Sequence, residues 1–359
     1  PGSVGGHPER VERLSRLPKH VRIIGRVGRQ VCSAQERATI DRFHRHDEMG
    51  SGQWTVYETA FQREFRRMFG SWQPDHVINY DGYARFWAGL FACGPAPHVQ
   101  RLIYLHNDMH GEWRMKFPHL AGMFALYSSY DRLISVAQTI SETNRANLAQ
   151  RFHIQPQKFM HADNMPDFAG VQAKAQEPLD EDLGEWLGPV PSGQAFVCIG
   201  RFSPEKNHSL LLQAFAMLVE AYPQARLVIL GDGPLRAALE TQIQQLNLGR
   251  NVLLPGLRAN PFPLLSYCDC FVLPSWHEGQ PMVLLEALAL GKSIIASNIP
   301  GVRELLEPGY GHLVDLTADE FGKALLQQIQ NKNAPLKKMN LNLHKENILE
   351  RFDELLCKD

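Results

Sequence analysis

The sequence predicts an α/β chain of two domains, each an open parallel sheet covered by helices. Three observations predict it. Short apolar runs of strand length alternate with helical patterns through residues 195–306. That βαβα order calls for parallel strands with crossover helices on both faces. A less regular form of the same alternation occupies the first 170 residues, and an acidic stretch carrying Pro178, Gly188, Pro189 and Pro191 separates the two. A chain of 359 residues is long enough for two domains of ordinary size.

The elements of the second half follow in order. Residues 195–200 read as a strand ending at a glycine. Residues 208–222 carry helical apolar spacing through Leu211, Leu212, Phe215, Leu218 and Val219. A strand at 226–230 turns through Gly231-Asp232-Gly233-Pro234 into a helix reaching about residue 246. A strand at 251–254, a short helix at 261–267 and a strand at 270–273 come next. A helix at 281–290, a strand at 293–296 and a short helix at 302–306 complete the pattern. In the first half, strands are predicted at 21–24, 77–79, 102–105 and 133–136, and helices at 55–69 and from about 141 to 152. The predicted domains are 1–175 and 194–335, with a linker at 176–193. A helical segment within 336–359 is expected to pack back on the first domain.

Composition narrows the class. The chain is 44% hydrophobic and 21% charged, with a net charge of −1, as in a globular protein. No apolar run approaches the roughly 18 residues of a membrane span, and no charged segment followed by an apolar run marks a secretory leader. Six scattered cysteines without a CxxC pair argue against a disulfide scaffold or zinc site and for the reduced thiols of a cytoplasmic protein. Residues 1–170 hold 21 Lys and Arg against 16 Asp and Glu; the remainder holds 16 against 22. That excess is too slight for nucleic-acid binding. It suits an anionic acceptor or peripheral contact with the inner face of a membrane, and equally ordinary surface variation.

The segment carrying most chemistry is Trp276-His277-Glu278-Gly279-Gln280-Pro281-Met282-Val283-Leu284-Leu285-Glu286-Ala287. Glu278 falls in a loop just after a strand. Gly279 lets a ligand approach the backbone. Pro281 suits the first helical position, and the N–H groups that follow can receive phosphate. Glu286 lies among leucines and alanines, where an unpaired carboxylate is expensive, and fits a sugar or ribose hydroxyl pair. By spacing alone, a loop glutamate beside an ordinary helix start accounts for the pattern equally well. A second element is Gly200-Arg201-Phe202-Ser203-Pro204-Glu205-Lys206-Asn207, whose two cations follow a strand end. Arg201 can pair with phosphate bidentately and Lys206 as a point charge. Such groups stabilise a departing diphosphate without a metal, although the pair taken alone reads more readily as solvated loop charges. Asp232 belongs to a tight turn first and a nucleotide contact second. His106 and Asp108 end the 102–105 strand and Asp81 follows that at 77–79; a lone strand-end histidine is more often structural. Asp180-Glu181-Asp182 spells a metal-binding DxD, but lies in the linker and reads as a solvated acidic turn. The cluster at His44-Arg45-His46-Asp47 lacks metal-ligand spacing. No metal and no cofactor are expected.

Taken together, residues 195–316 resemble the C-terminal domain of family-4 retaining glycosyltransferases of the GT-B fold. The resemblance rests on Gly200-Arg201 with Glu205-Lys206, Gly231-Asp232-Gly233-Pro234, the 252–256 segment, Pro274-Ser275, the Glu278-x7-Glu286 motif, and Gly291-Lys292 leading to Ser297-Asn298-Ile299-Pro300-Gly301. It implies two Rossmann-like domains facing a central cleft and a nucleotide-sugar donor. It also implies metal-independent transfer with retention by front-face displacement. Arg201 and Lys206 would hold the donor diphosphate, Glu278 would contact the transferred sugar and Glu286 the ribose. Gly279, Gln280, Pro281 and Met282 would cap the phosphates or sugar. Leu257 and Arg258 would border the base, and His106 would touch the donor sugar. The first half is loosely similar to glycosyltransferase modules that build or decorate teichoic-acid-like or capsular polymers. That implies a cell-envelope glycan or polyol-phosphate acceptor and association with or fusion to other polymer-biosynthesis modules; Asp81, at its strand end, could face the acceptor, and Asp108 is a further candidate for substrate binding. The family opens with a strand before a Gly-rich loop. Here residues 2–6 are Gly-rich with no strand before them, so the N-terminal domain is expected to be incomplete. A sugar-nucleotide epimerase of the same architecture and a catalytically silent glycan- or partner-binding module are the rival expectations.

Overall fold

The computed structural model describes residues 18–22, 30–46, 51–72, 74–330 and 337–357. The strand expected at 21–24 falls partly outside them, and residues 2–6 and the side chains at 44–47 fall outside wholly. The chain packs as two compact units, one of residues 1–103, 113–131 and 152–154, the other of 104–112, 132–151 and 155–359. The second unit takes in segments that the sequence reading gave to the first domain.

In the first unit, helix Ser51–Phe69 begins four residues before its predicted start. It buries Tyr57, Ala60, Phe61 and Phe65 along one face. Strand β1, His76–Asn79, runs parallel to the first residues of β2, Gln100–Leu105. Helix Arg85–Cys93 follows β1. A Cβ on its Gly89 would overlap the Tyr57 hydroxyl, so glycine lets the two helices approach closely.

The second unit holds a parallel pair, β3 (Arg132–Ser135) with β4 (Phe159–His161). It also holds a six-stranded sheet of β5 (Ala195–Ile199), β6 (Arg226–Leu230), β7 (Val252–Leu253), β8 (Cys270–Leu273), β9 (Ser293–Ser297) and β10 (His312–Val314). The spatial order is β10-β9-β8-β5-β6-β7 and every pair that defines its register is parallel. β5 and β8 are therefore neighbours whose chains depart in opposite directions across the sheet. A ligand crevice opens at such a switch point, beyond the carboxyl ends of the strands. Cys270, Phe271, Val272 and Leu273 are all buried; a strand covered on both faces reads as a continuous apolar run. One face is packed by Phe271, Leu284, Leu285 and Leu288, the other by Phe196, Phe215, Leu218 and Phe321.

Features that were not in the sequence reading include β4, β10 and helices Ala34–His46, Arg85–Cys93, Met109–Met115, Phe168–Lys174 and Ala318–Ile329. Helix Gln138–Leu148 starts three residues before its predicted start, for a reason given below. Within 176–193, helix Glu181–Leu187 buries Leu183 and Leu187. Helix Leu341–Leu356 lies against the β3–β4 segment. Its Arg351 Nε donates to the His161 carbonyl at 3.2 Å, and Arg132 Nη2 donates to the Cys357 carbonyl at 3.0 Å.

Candidate active site

The loops after β5 and β8 meet at the switch point. Trp276 fastens one to the other: its backbone N–H donates to the Glu205 carbonyl at 3.0 Å and its Nε1 to the Pro204 carbonyl at 2.8 Å. Between them, Lys206 Nζ stands 2.5 Å from Glu278 Oε1, and Ser275 Oγ donates to the same oxygen at 2.7 Å. The Lys206 and Glu278 side chains are only 21% and 10% exposed, so the carboxylate sits in a partly desolvated place with one counter-charge. Asn207, in the left-handed region at φ 51°, redirects the chain into helix His208–Ala221. The first residue of that helix, His208, is buried with neither ring nitrogen bonded. Burial and then nearby Lys206 push its pKa down to about 4, which leaves it neutral at pH 7.

The β5 and β6 loops are zipped together by glycine. A Cβ on Gly231 would overlap the Gly200 carbonyl, and one on Gly233 would run into the Phe202 backbone. Asp232 serves this turn, accepting from the Gly233 N–H at 2.8 Å and lying 3.8 Å from Arg236. Arg201 is exposed on the same loop, and no side chain pairs with it among the described residues.

Pro281 is extended at ψ 119° and stands just before helix Met282–Ala289, not at its first helical position. No side chain caps that helix, so its first N–H groups remain available to an anion. Glu286, on the second turn, is half-buried. Desolvation alone raises its pKa, with no offsetting cation among the described residues. An unmatched carboxylate of this kind suits a hydroxyl-bearing ligand.

Other expected contacts are arranged differently. The space beside Gly279 is filled by protein: a Cβ there would overlap the His106 carbonyl, and one on Gly301 would overlap the Gly279 carbonyl. Gln280 is buried and turned inward; its Oε1 accepts from the Asn164 N–H at 2.6 Å, and its carbonyl accepts from Asn164 Nδ2 at 3.0 Å. Arg258 is taken up by ion pairs to Asp182 at 2.5 Å and Asp180 at 3.5 Å. The acidic turn is therefore a partner for Arg258 as well as a solvated one. Leu257, by contrast, is 77% exposed in the loop after β7. Met282 is also exposed. Asp81 belongs to the first unit, where it accepts from the Ala84 N–H at 2.9 Å ahead of helix Arg85–Cys93.

His106 follows β2, and its ring stacks on Tyr104 with centroids 6.0 Å apart. Asp108, Asn107, Thr143, Trp276, His277 and Glu278 are among the residues lining a cleft of about 110 Å³. Behind it, buried Asn144 accepts from the Met109 N–H at 2.9 Å and donates to the Asn107 carbonyl at 3.0 Å. Glu304 holds the start of helix Gln138–Leu148, accepting from the Gln138 N–H at 2.9 Å, the Thr139 N–H at 2.8 Å and Thr139 Oγ1 at 2.7 Å. This cap, supplied from helix Pro300–Leu306, explains the early helix start. The sequence reading gave no role to Ser275, His277, Glu112, Asn144 or Glu304. Only Ser275 and His277 had a signal, through their places in the motif.

Residues 188–346 match the family model described as glycosyl transferases group 1. Over that segment the chain is similar to group 1 glycosyl transferases. An uncharacterized glycosyltransferase of Methanocaldococcus jannaschii is 34% identical over 176 residues, 49% of this chain and 42% of that one. The N-acetylgalactosamine-N,N'-diacetylbacillosaminyl-diphospho-undecaprenol 4-alpha-N-acetylgalactosaminyltransferase of Campylobacter jejuni is 30% identical over 213 residues, 59% of this chain and 52% of that enzyme. The chain thus spans about half the length of these curated relatives. Among solved structures, Anabaena HepE in complex with UDP and glucose superposes with a TM-score of 0.61 at 18% identity, covering 91% of this chain and 98% of that one. The fold is GT-B, as the sequence motifs implied. Among the described residues, no helix is long and apolar enough to cross a membrane.

Proposed function

We propose that this chain transfers a sugar, with retention, from a nucleoside-diphosphate sugar to a lipid-linked or polymeric cell-envelope glycan acceptor, without a metal. The observation that carries the reading is the Glu278 carboxylate, held by Lys206 and Ser275 at the switch point. The β5 loop also carries Arg201, which no side chain pairs with among the described residues, and the β8 loop leads into an uncapped helix start and Glu286, which desolvation alone perturbs. Arg201 and the Met282–Ala289 helix start receive the diphosphate, whose charge grows as the glycosidic bond breaks. Lys206 adds positive charge beside both the leaving group and Glu278. Glu278 faces the reacting sugar, Glu286 binds the ribose hydroxyls, and Leu257 borders the base. UDP in the HepE structure supports a uridine donor. The diphospho-undecaprenol acceptor of the Campylobacter enzyme supports a lipid-linked glycan, met at the cytoplasmic face of a membrane.

The test is nucleotide release from UDP-, GDP-, ADP- and CDP-sugars, with and without an undecaprenyl-diphosphate glycan or envelope polymer, and NMR of the product anomer. Release from one donor, stimulated by acceptor and giving the donor's anomeric configuration, is expected. Conversion of donor to an isomeric sugar, or binding without turnover, overturns the reading.

A further inference from the structure

We infer that Glu112 and His277 are a pair of positioning residues, fixing the His106 strand end and the Glu278 loop in the arrangement that transfer requires; the inference rests on the transferase reading above. Glu112, in helix Met109–Met115, is 3% exposed. A carboxylate so buried is costly unless its oxygens are bonded. Its Oε1 accepts from Asn107 Nδ2 at 3.0 Å and lies 3.1 Å from His277 Nε2. With its proton on Nε2, the imidazole donates to that oxygen. Asn107 directly follows His106, and His277 directly precedes Glu278. One buried oxygen therefore ties together two loops whose tips carry the proposed sugar-contacting groups.

Each loop is held firmly on its other side. The Asn107 carbonyl is bonded by Asn144 Nδ2 at 3.0 Å, and the neighbouring Asp108 N–H bonds Asn107 Oδ1 at 2.9 Å. Trp276 anchors the Glu278 loop to Pro204 and Glu205. His277 itself sits over Gly111, where a Cβ would come 3.4 Å from its Cε1. Asn107 and His277 line the cleft with Glu278 and Asp108, but Glu112 does not. Glu112 therefore acts through its neighbours. The pair is also separate from Arg201 and the Met282–Ala289 helix start, the groups proposed to hold the diphosphate. Loosening it changes the geometry of reaction more than the strength of donor binding, and misplacement by about 1 Å can lower turnover about 100-fold.

The experiment compares wild type, His277→Ala, His277→Gln, Glu112→Gln and the His277→Ala/Glu112→Gln double variant. It measures kcat and donor KM, UDP affinity by calorimetry, and thermal unfolding. His277→Ala and Glu112→Gln are expected to lower kcat about 10- to 100-fold with UDP affinity unchanged. The double variant should lose no more than the worse single one. Glutamine at 277, whose amide nitrogen reaches the Nε2 position, should restore most of kcat. Wild-type kcat in both single variants, parallel losses of kcat and UDP affinity, or no rescue by glutamine would overturn the inference. Should Glu112→Gln unfold, the Ala-to-Gln contrast at 277 decides alone. A wild type that releases nucleotide from no donor overturns the transferase reading, and this inference with it.

Discussion

Lys206 and Glu278, 72 residues apart in sequence, form a 2.5 Å ion pair in which the lysine comes from the loop after β5 and the glutamate from the loop after β8. The contact exists because those strands are neighbours at the switch point of the sheet. It gives a partly buried carboxylate its counter-charge and places a cation beside the proposed diphosphate site.

Glu278→Gln keeps the shape of this contact and removes the negative charge proposed to face the sugar. Turnover should fall by on the order of 100-fold or more, while UDP affinity measured by calorimetry is retained. Wild-type turnover would remove Glu278 from the mechanism.

Arg201→Ala removes an exposed cation that no protein group engages among the described residues. A charge-assisted bond of about 1.5–3 kcal/mol corresponds to about 10- to 150-fold weaker nucleotide binding. Folding should be untouched, since nothing in the protein leans on the guanidinium. Unchanged affinity would place the phosphate site elsewhere.

Glu286 sets function against stability. Its folded pKa is raised by desolvation, with no cation to offset it among the described residues. Between the unfolded and the raised folded pKa the native state binds the extra proton, so the group's contribution to stability falls as pH rises through that window. Glu286→Gln should therefore raise the melting temperature at pH 7, with the gain vanishing in acid where the carboxyl is protonated in both states. The same variant should bind nucleotide more weakly. A pH-independent difference in melting temperature would show that the carboxylate is matched by a partner.

Gly279→Ala forces a methyl group against the His106 carbonyl, with Val136 also close. Backbone cannot yield as a side-chain tip can, so a loss of about 1–3 kcal/mol is expected in denaturant unfolding. A variant as stable as wild type would mean that the two segments part easily.

Glu304→Ala frees two backbone N–H groups at the start of helix Gln138–Leu148. A lost cap costs about 0.5–2 kcal/mol. Hydrogen exchange at Gln138 and Thr139 should accelerate more than in the helix centre. Equal protection in both proteins would assign the helix start to some other contact.

The sequence by itself determined the strands and helices of residues 195–306, and with them the positions of Arg201, Lys206 and Glu278 in loops after strands and of Glu286 within a helix. These follow from local patterns. A buried strand needs a short apolar run, a helix needs a repeating face, and a tight turn needs its glycines. The tertiary structure alone decided what those side chains meet. It gave Arg258 to the acidic turn at Asp180 and Asp182, turned Gln280 inward to Asn164, and filled the Gly279 notch with the His106 carbonyl. It also brought Glu112 to His277 across 165 residues of chain. Periodicity reports only whether a residue faces inward from its own helix or strand. Which distant group lies opposite depends on the order of strands and the packing of segments on them, and that information is spread over the whole chain.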